Sequence, residues 1–154
     1  MALKATDLTH RYRSDVRNIH ARVTAQPIDA FVLREAVASP NHGAIVVFEG
    51  VVRDHDGGRS VVELEYQVHP EAQSFIEAIA AKIQEAHPDV SIAVEHRYGH
   101  LAIGDVAFVA AVSAAHRDRA FVVCAEVVDV VKAELPIWKR QQFADGTHEW
   151  VNFA

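Results

Sequence analysis

Ser113–Gln141 reads SAAHRDRAFVVCAEVVDVVKAELPIWKRQ, and its changes of pattern decide the fold. Ala120, Cys124, Val127 and Val131 recur at helical spacing, with Phe121, Val128 and Leu135 beside them, which predicts an amphipathic helix over about 116–134. Many of its residues are β-branched, so tertiary packing rather than intrinsic propensity has to hold it. Pro136 stops the helix, and 137–143 turns to a strand pattern. Upstream, 106–112 is almost wholly apolar, as a central strand is. Downstream, Ala144-Asp145-Gly146 is a hairpin signal leading into a last strand over 147–153.

Working back toward the N-terminus, 90–97 predicts a strand and 98–101 an irregular continuation. His69-Pro70-Glu71 opens a helix whose core stripe is Ala72, Phe75, Ile76, Ile79, Ala80 and Ile83. Residues 61–68 alternate as a strand, with Val62, Leu64, Tyr66 and Val68 on one face. With the apolar run 43–53 and the turn 54–58, this predicts a long-looped hairpin. Residues 19–24 predict a short strand, and Pro27 and Asp29 start a helix carrying Phe31, Val32, Ala36 and Val37. Residues 1–18 have no periodicity and read as a flexible N-terminal arm to one domain over 19–154. Strands and helices interleave, but several strand pairs are hairpins, so the class is α+β with a mixed or antiparallel sheet.

Composition narrows the function. A formal charge of −6 argues against a general nucleic-acid surface. The single cysteine, Cys124, permits no intrachain disulfide and fits a reducing compartment. No apolar run reaches membrane-span length and the first residues lack a secretory apolar core, so the expected location is the cytoplasm, with no membrane partner. None of the ten histidines falls in a metal-ligand pattern, so neither metal nor other cofactor is expected, and most of the histidines should be surface residues.

Against that acidic background, His116, Arg117, Arg119, Lys132, Lys139 and Arg140 gather at the two ends of one helix. This is the pattern of a site for a small anion. Lys132 and Lys139 flank Pro136, whose sharp exit permits both ammonium groups to face one cavity, where desolvation and mutual repulsion would suit one of them to proton transfer. Spacing alone favours the plainer reading, lysines complementing a helix C-terminus. His116 and Arg117 sit where a buried strand meets a helix start, a natural anion site. Surface decoration with Ser113 or Asp118 as cap partners is the alternative. Arg53, read alone, is a solvated loop residue, and Cys124 a buried inert thiol.

Taken together, GAIVVFEGVVRDH at 43–55, His69-Pro70, HRYGHLAIGD at 96–105, VSAAHRDRAF at 112–121 and VKAELPIWKRQ at 131–141 resemble the catalytic, large-subunit family of molybdopterin synthase. The likeness runs from about residue 19 to the C-terminus. It implies an α/β-hammerhead-like domain with an additional antiparallel sheet. It implies conversion of cyclic pyranopterin monophosphate to the molybdopterin dithiolene, with two sulfurs supplied by the C-terminal Gly-Gly thiocarboxylate of a small ubiquitin-like subunit. The implied assembly is a homodimer within a heterotetramer. The resemblance carries substrate binding to Arg53, His116, Arg117, Lys132, Lys139 and Arg140, with Lys132 and Lys139 catalytic. Lys132 is expected to orient the thiocarboxylate and Lys139 to move a proton. Val51 stands where the family often has lysine, and Gln141 where an acid is common. The competing class is a noncatalytic adaptor for a ubiquitin-like tail, which needs no paired lysines at an anion pocket. A nucleotide- or RNA-binding domain fits poorly with the acidic charge and the missing aromatic stacking pattern.

Overall fold

The computed structural model describes residues 19–152. The arm assigned to residues 1–18 lies outside them. In chain order the elements are β1 (His20–Thr24), α1 (Ala30–Val37), β2 (Ala44–Val51), β3 (His55–Asp56), β4 (Arg59–Val68), α2 (Ala72–Ala86), β5 (Ser91–Arg97), β6 (Gly99–Leu101), β7 (Val106–Ala114), α3 (Arg117–Glu134), β8 (Ile137–Phe143) and β9 (His148–Asn152).

The apolar β7 is central, as its composition requires. It pairs antiparallel with β5 and β2 in a four-stranded sheet of order β1-β5-β7-β2, in which β1 runs parallel to β5. Strand alternation sends Ala110 and Val112 to one face of this sheet and Val109 and Ala111 to the other. The first face packs with α2 and α3 into the main core, with Ile76, Ile83, Val123 and Val127 fully buried. The second is covered by α1 through Leu33 and Val37. Each of these side chains contributes roughly 1.5–3 kcal/mol by leaving water. Helix α1 starts as expected at Asp29, whose carboxylate accepts the Phe31 N–H at 2.9 Å.

The second sheet has the order β3-β4-β8-β9, with β6 also pairing with β4. It is antiparallel throughout. The fold is therefore α+β, a helix-covered mixed sheet with an additional antiparallel one.

Several local expectations change. Strands β2 and β4 are not hairpin partners, because they belong to different sheets; the tight hairpin is β3–β4, turning at Gly57 and Gly58 with φ of 56° and 77°. Such left-handed angles at both turn positions favour glycine. On β4, Val61 is buried and Val62 exposed, the reverse of strict alternation. A register shift between Val61 and Glu63 inserts a bulge, after which Leu64 and Tyr66 keep the buried face. Phe75 lies on the exposed flank of α2 rather than in its core stripe, and Phe121, beside the stripe of α3, is exposed as well. Residues 99–101 form a real strand, β6, pinned to Leu64–Tyr66. Ser113 caps nothing. Its buried hydroxyl donates to the Val37 carbonyl and accepts from His42 Nδ1 at 2.6 Å, tying β7 to the end of α1.

Candidate active site

The two sheets meet along a seam, and the seam holds a cavity of ≈ 330 Å³. Its charged walls come from three elements. Arg53 follows β2, and the exit is fixed because the Val52 N–H donates to the Asp105 carbonyl at 2.9 Å while the Gly104 N–H donates to the Val52 carbonyl at 2.8 Å. Lys132 belongs to the last turn of α3. Lys139 lies on β8 opposite Tyr66 of β4.

Pro136 makes the lysine pair possible. Helix α3 ends with the Leu135 N–H donating to the Val131 carbonyl at 3.0 Å, and Leu135 itself is already extended. The chain reverses at once into β8, held by the His69 N–H on the Pro136 carbonyl at 3.0 Å. Both lysines then line the cavity with Arg53. Burial pushes the Lys139 ammonium below the ordinary lysine value; the positive charges of Lys132 and Arg53 add to this, and the Asp56 carboxylate opposes it. A lysine so placed releases a proton more readily than one in water.

Asp56 is the counter-charge. It accepts from Arg53 Nη2 at 3.0 Å and from Gln141 Nε2 at 2.7 Å. The Gln141 hydrogen bond, assisted by the charges of Lys139 and Arg53, holds the Asp56 carboxyl below its usual range. Gln141, 3% exposed, thus uses its amide to fasten the β3–β4 hairpin over the site, which an acid at that position would not do.

The remaining walls are Gly50, Val51, Val52, Leu64, Tyr66, His96, Ala107 and Phe108. Burial raises the Tyr66 phenol to about 12, so it stays an O–H at neutral pH. His96 is an exception to the expectation that most histidines lie at the surface: it is buried on β5. The signal was in the alternation of that strand, which puts His96 on the same face as Ile92 and Val94.

The structure brings together Arg53, Lys132 and Lys139 and leaves the other three candidates elsewhere. His116 and Arg117 sit at the start of α3, roughly 22 Å of helix axis from Lys132. Both are exposed and, among the described residues, neither side chain has a partner. Their neighbour Arg119 is accounted for locally, donating to Asp89 at 2.8 and 3.1 Å. Arg140 points to the opposite face of β8 and pairs with Glu65 at 3.7 Å. Cys124 is buried against the Ala110 carbonyl, and burial pushes its thiol up, away from nucleophilic use.

Comparison with known proteins places the sequence and the fold in a family. The family model described as "MoaE protein" matches residues 23–134. A molybdopterin synthase catalytic subunit 1 from Mycobacterium tuberculosis is 38% identical over 133 residues, covering 86% of this chain and 90% of its own. A molybdopterin synthase catalytic subunit from Nostoc is 35% identical over 134 residues, 86% of this chain and 81% of that one. The X-ray structure of molybdopterin synthase from Staphylococcus aureus superposes with a TM-score of 0.80 at 32% identity, covering 86% of this chain and 96% of that chain. Sequence likeness that spans nearly the whole of its relatives, on a shared fold, has one interpretation: this chain belongs to the MoaE family, the family of these molybdopterin synthase catalytic subunits.

Proposed function

We propose that this chain is the catalytic partner in a sulfur transfer that converts cyclic pyranopterin monophosphate to the molybdopterin dithiolene. The observation that carries this reading is the convergence of Lys132, Lys139 and Arg53 on one cavity between the sheets. Both reactants are anions: a phosphorylated pterin, and the C-terminal thiocarboxylate of a small ubiquitin-like subunit. Three cations, with Asp56 as the leading counter-charge, suit that pairing.

The roles follow from position and charge. Lys132 pairs with the thiocarboxylate and holds its sulfur near the substrate, converting an encounter into a first-order step. Lys139, whose ammonium is destabilised by burial, moves the proton. Arg53, aligned by Asp56, binds the phosphate end. The nucleophile is the partner's sulfur, and Cys124 takes no part.

His116, Arg117 and Arg140 do not reach the cavity of their own chain. We assign His116 and Arg117 to the cavity of a second copy, in a homodimer that carries one small subunit at each end; Arg140 belongs to the outer face of β8, toward an incoming partner. The helix start bearing the first pair supplies free N–H groups as well as cations, so it adds anion affinity where a phosphate would enter. No helix among the described residues is long and apolar enough to cross a membrane. We place the reaction in the cytoplasm, where a protein thiocarboxylate and a chain with one unpaired cysteine both fit.

Reconstitution tests the reading. This protein, the thiocarboxylated small subunit and cyclic pyranopterin monophosphate are mixed, and dithiolene is detected after oxidation to its fluorescent derivative. Product that requires both proteins is the expected result. A stable complex of the two proteins that makes no product would replace the enzyme with an adaptor.

A further inference from the structure

His96 is a buried group that the mechanism above leaves unused. Its Nδ1 lies 2.8 Å from the Arg97 carbonyl oxygen. A carbonyl only accepts, so the proton of the neutral ring sits on Nδ1 and Nε2 presents a bare lone pair. Among the described residues His96 makes no second hydrogen bond, so none of them uses that lone pair. Among the described residues the one fully enclosed side-chain polar atom without a partner is Arg97 Nε, so the unpartnered Nε2 of His96 opens to the cavity that the residue lines.

The ring is held in place. Tyr66 meets it edge-on with centroids 5.0 Å apart, and Phe108 lies 5.5 Å away at 41°. It also stays neutral. Burial, with the positive charge of Lys132 adding to it, takes its pKa down to about 4. An imidazolium would meet Arg53, Lys132 and Lys139 across the same space, with the carboxylates of Asp56 and Glu149 in opposition. The cavity is thus rich in donors, the three cations and the Tyr66 hydroxyl. His96 Nε2 is, in this tautomer, a ring acceptor among them.

We propose that His96 Nε2 is a specificity-determining acceptor that takes a hydrogen bond from a ring N–H of the heterocyclic substrate, while the cations take its anionic end. The proposal rests on the functional reading above and deepens it. Once a ligand fills the cavity, an acceptor left unmet carries a desolvation penalty, so a ligand that offers a donor at this point is favoured over one that does not. The ring surfaces of Tyr66, His96 and Phe108 in the lining favour a heterocycle here over a peptide. The cavity volume is in the range of small-molecule sites.

The test is direct binding of cyclic pyranopterin monophosphate to the full-length protein without the small subunit, followed by steady-state kinetics of the reconstituted pair. His96→Phe keeps a ring of similar shape and removes the acceptor. His96→Gln restores a polar amide near the Nε2 position. We expect His96→Phe to weaken substrate binding and raise its KM at least about 10-fold with a smaller change in kcat, and His96→Gln to recover much of the loss. The apparent affinity for the small subunit should not move. Unchanged substrate binding in a folded His96→Phe protein would overturn the proposal. So would failure of His96→Gln to bind better than His96→Phe, or a loss confined to the small subunit, which would mean that the acceptor reads the peptide tail. If the wild-type pair makes no product at all, the functional reading fails first, and the binding arm still decides whether His96 contacts the pterin.

Discussion

Gln141 Nε2 donates to Asp56 Oδ2 at 2.7 Å, joining the β3–β4 hairpin to β8 across the mouth of a cationic cavity. The other oxygen of the same carboxylate accepts from Arg53 at 3.0 Å. One carboxylate therefore aligns the arginine and offsets part of the charge around Lys139. Asp56→Asn should raise the KM for the phosphorylated substrate, because Arg53 loses its alignment. It should also lower the Lys139 pKa further, because Asp56 is the leading influence holding it up. The limb of the pH–rate profile that belongs to Lys139 should move to lower pH in Asp56→Asn, and a move to higher pH would contradict this arrangement.

Lys139→Arg keeps a positive charge on β8 but removes a group able to give up its proton. Turnover should fall by about 10²-fold or more while substrate still binds, the usual scale for losing a general acid–base. Stopped-flow or quench measurements of a single turnover separate this from slow product release.

His116 and Arg117 make a prediction about assembly. If each cavity is completed by a second copy, Lys132→Ala and Arg117→Ala are defects at different ends of the same composite site. Mixed and allowed to exchange subunits, the two inactive homodimers should form hybrids in which one cavity is intact, and activity should return to a substantial fraction of wild type. Persistent inactivity despite subunit exchange would place all the working residues within one chain.

The neutral state of His96 links stability to acid. In the fold its pKa is near 4, whereas the ordinary value is 6.5. Between those values the unfolded chain binds a proton that the folded chain refuses, so stability falls as pH drops through that window. The difference is worth about 3 kcal/mol in total, most of it lost by pH 4. Denaturant midpoints measured at pH 7 and pH 4.5 should therefore converge more in His96→Phe than in the wild-type protein.

Glu95 anchors the edge of the first sheet. It is 2% exposed and accepts from Arg22 at 2.9 and 3.1 Å, with His20 Nε2 at 2.6 Å. Arg22→Ala leaves a buried carboxylate with one partner. Because the arginine is half exposed, the cost should be about 1–2 kcal/mol rather than the larger loss of a fully buried pair, read as a lowered Tm.

Much of this architecture is written in local pattern. The apolar run of β7, the stripe Ala120-Cys124-Val127-Val131, the Pro136 stop and the turn at Asp145-Gly146 each act over a few residues, and each produced the element its pattern implies. What local pattern misses is set by partners distant in sequence. The bulge on β4 comes from pairing with β8, and so does the exchange of Val62 for Val61 in the core. β2 and β4 look like a hairpin because both are apolar and a turn lies between them, but β2 finds a better partner in β7. The site divides in the same way. Lys132 and Lys139 are legible as a pair because Pro136 lies between them, whereas Asp56 joins them through strand pairing within the second sheet and His96 through the meeting of the two sheets.

The central claim is that Lys132 holds the sulfur donor at the substrate. The most direct measurement is product formation by Lys132→Ala with thiocarboxylated small subunit and cyclic pyranopterin monophosphate, alongside the affinity of that variant for the small subunit. The account predicts a complex of near-normal affinity that makes no detectable dithiolene. Near-normal turnover by Lys132→Ala would contradict it.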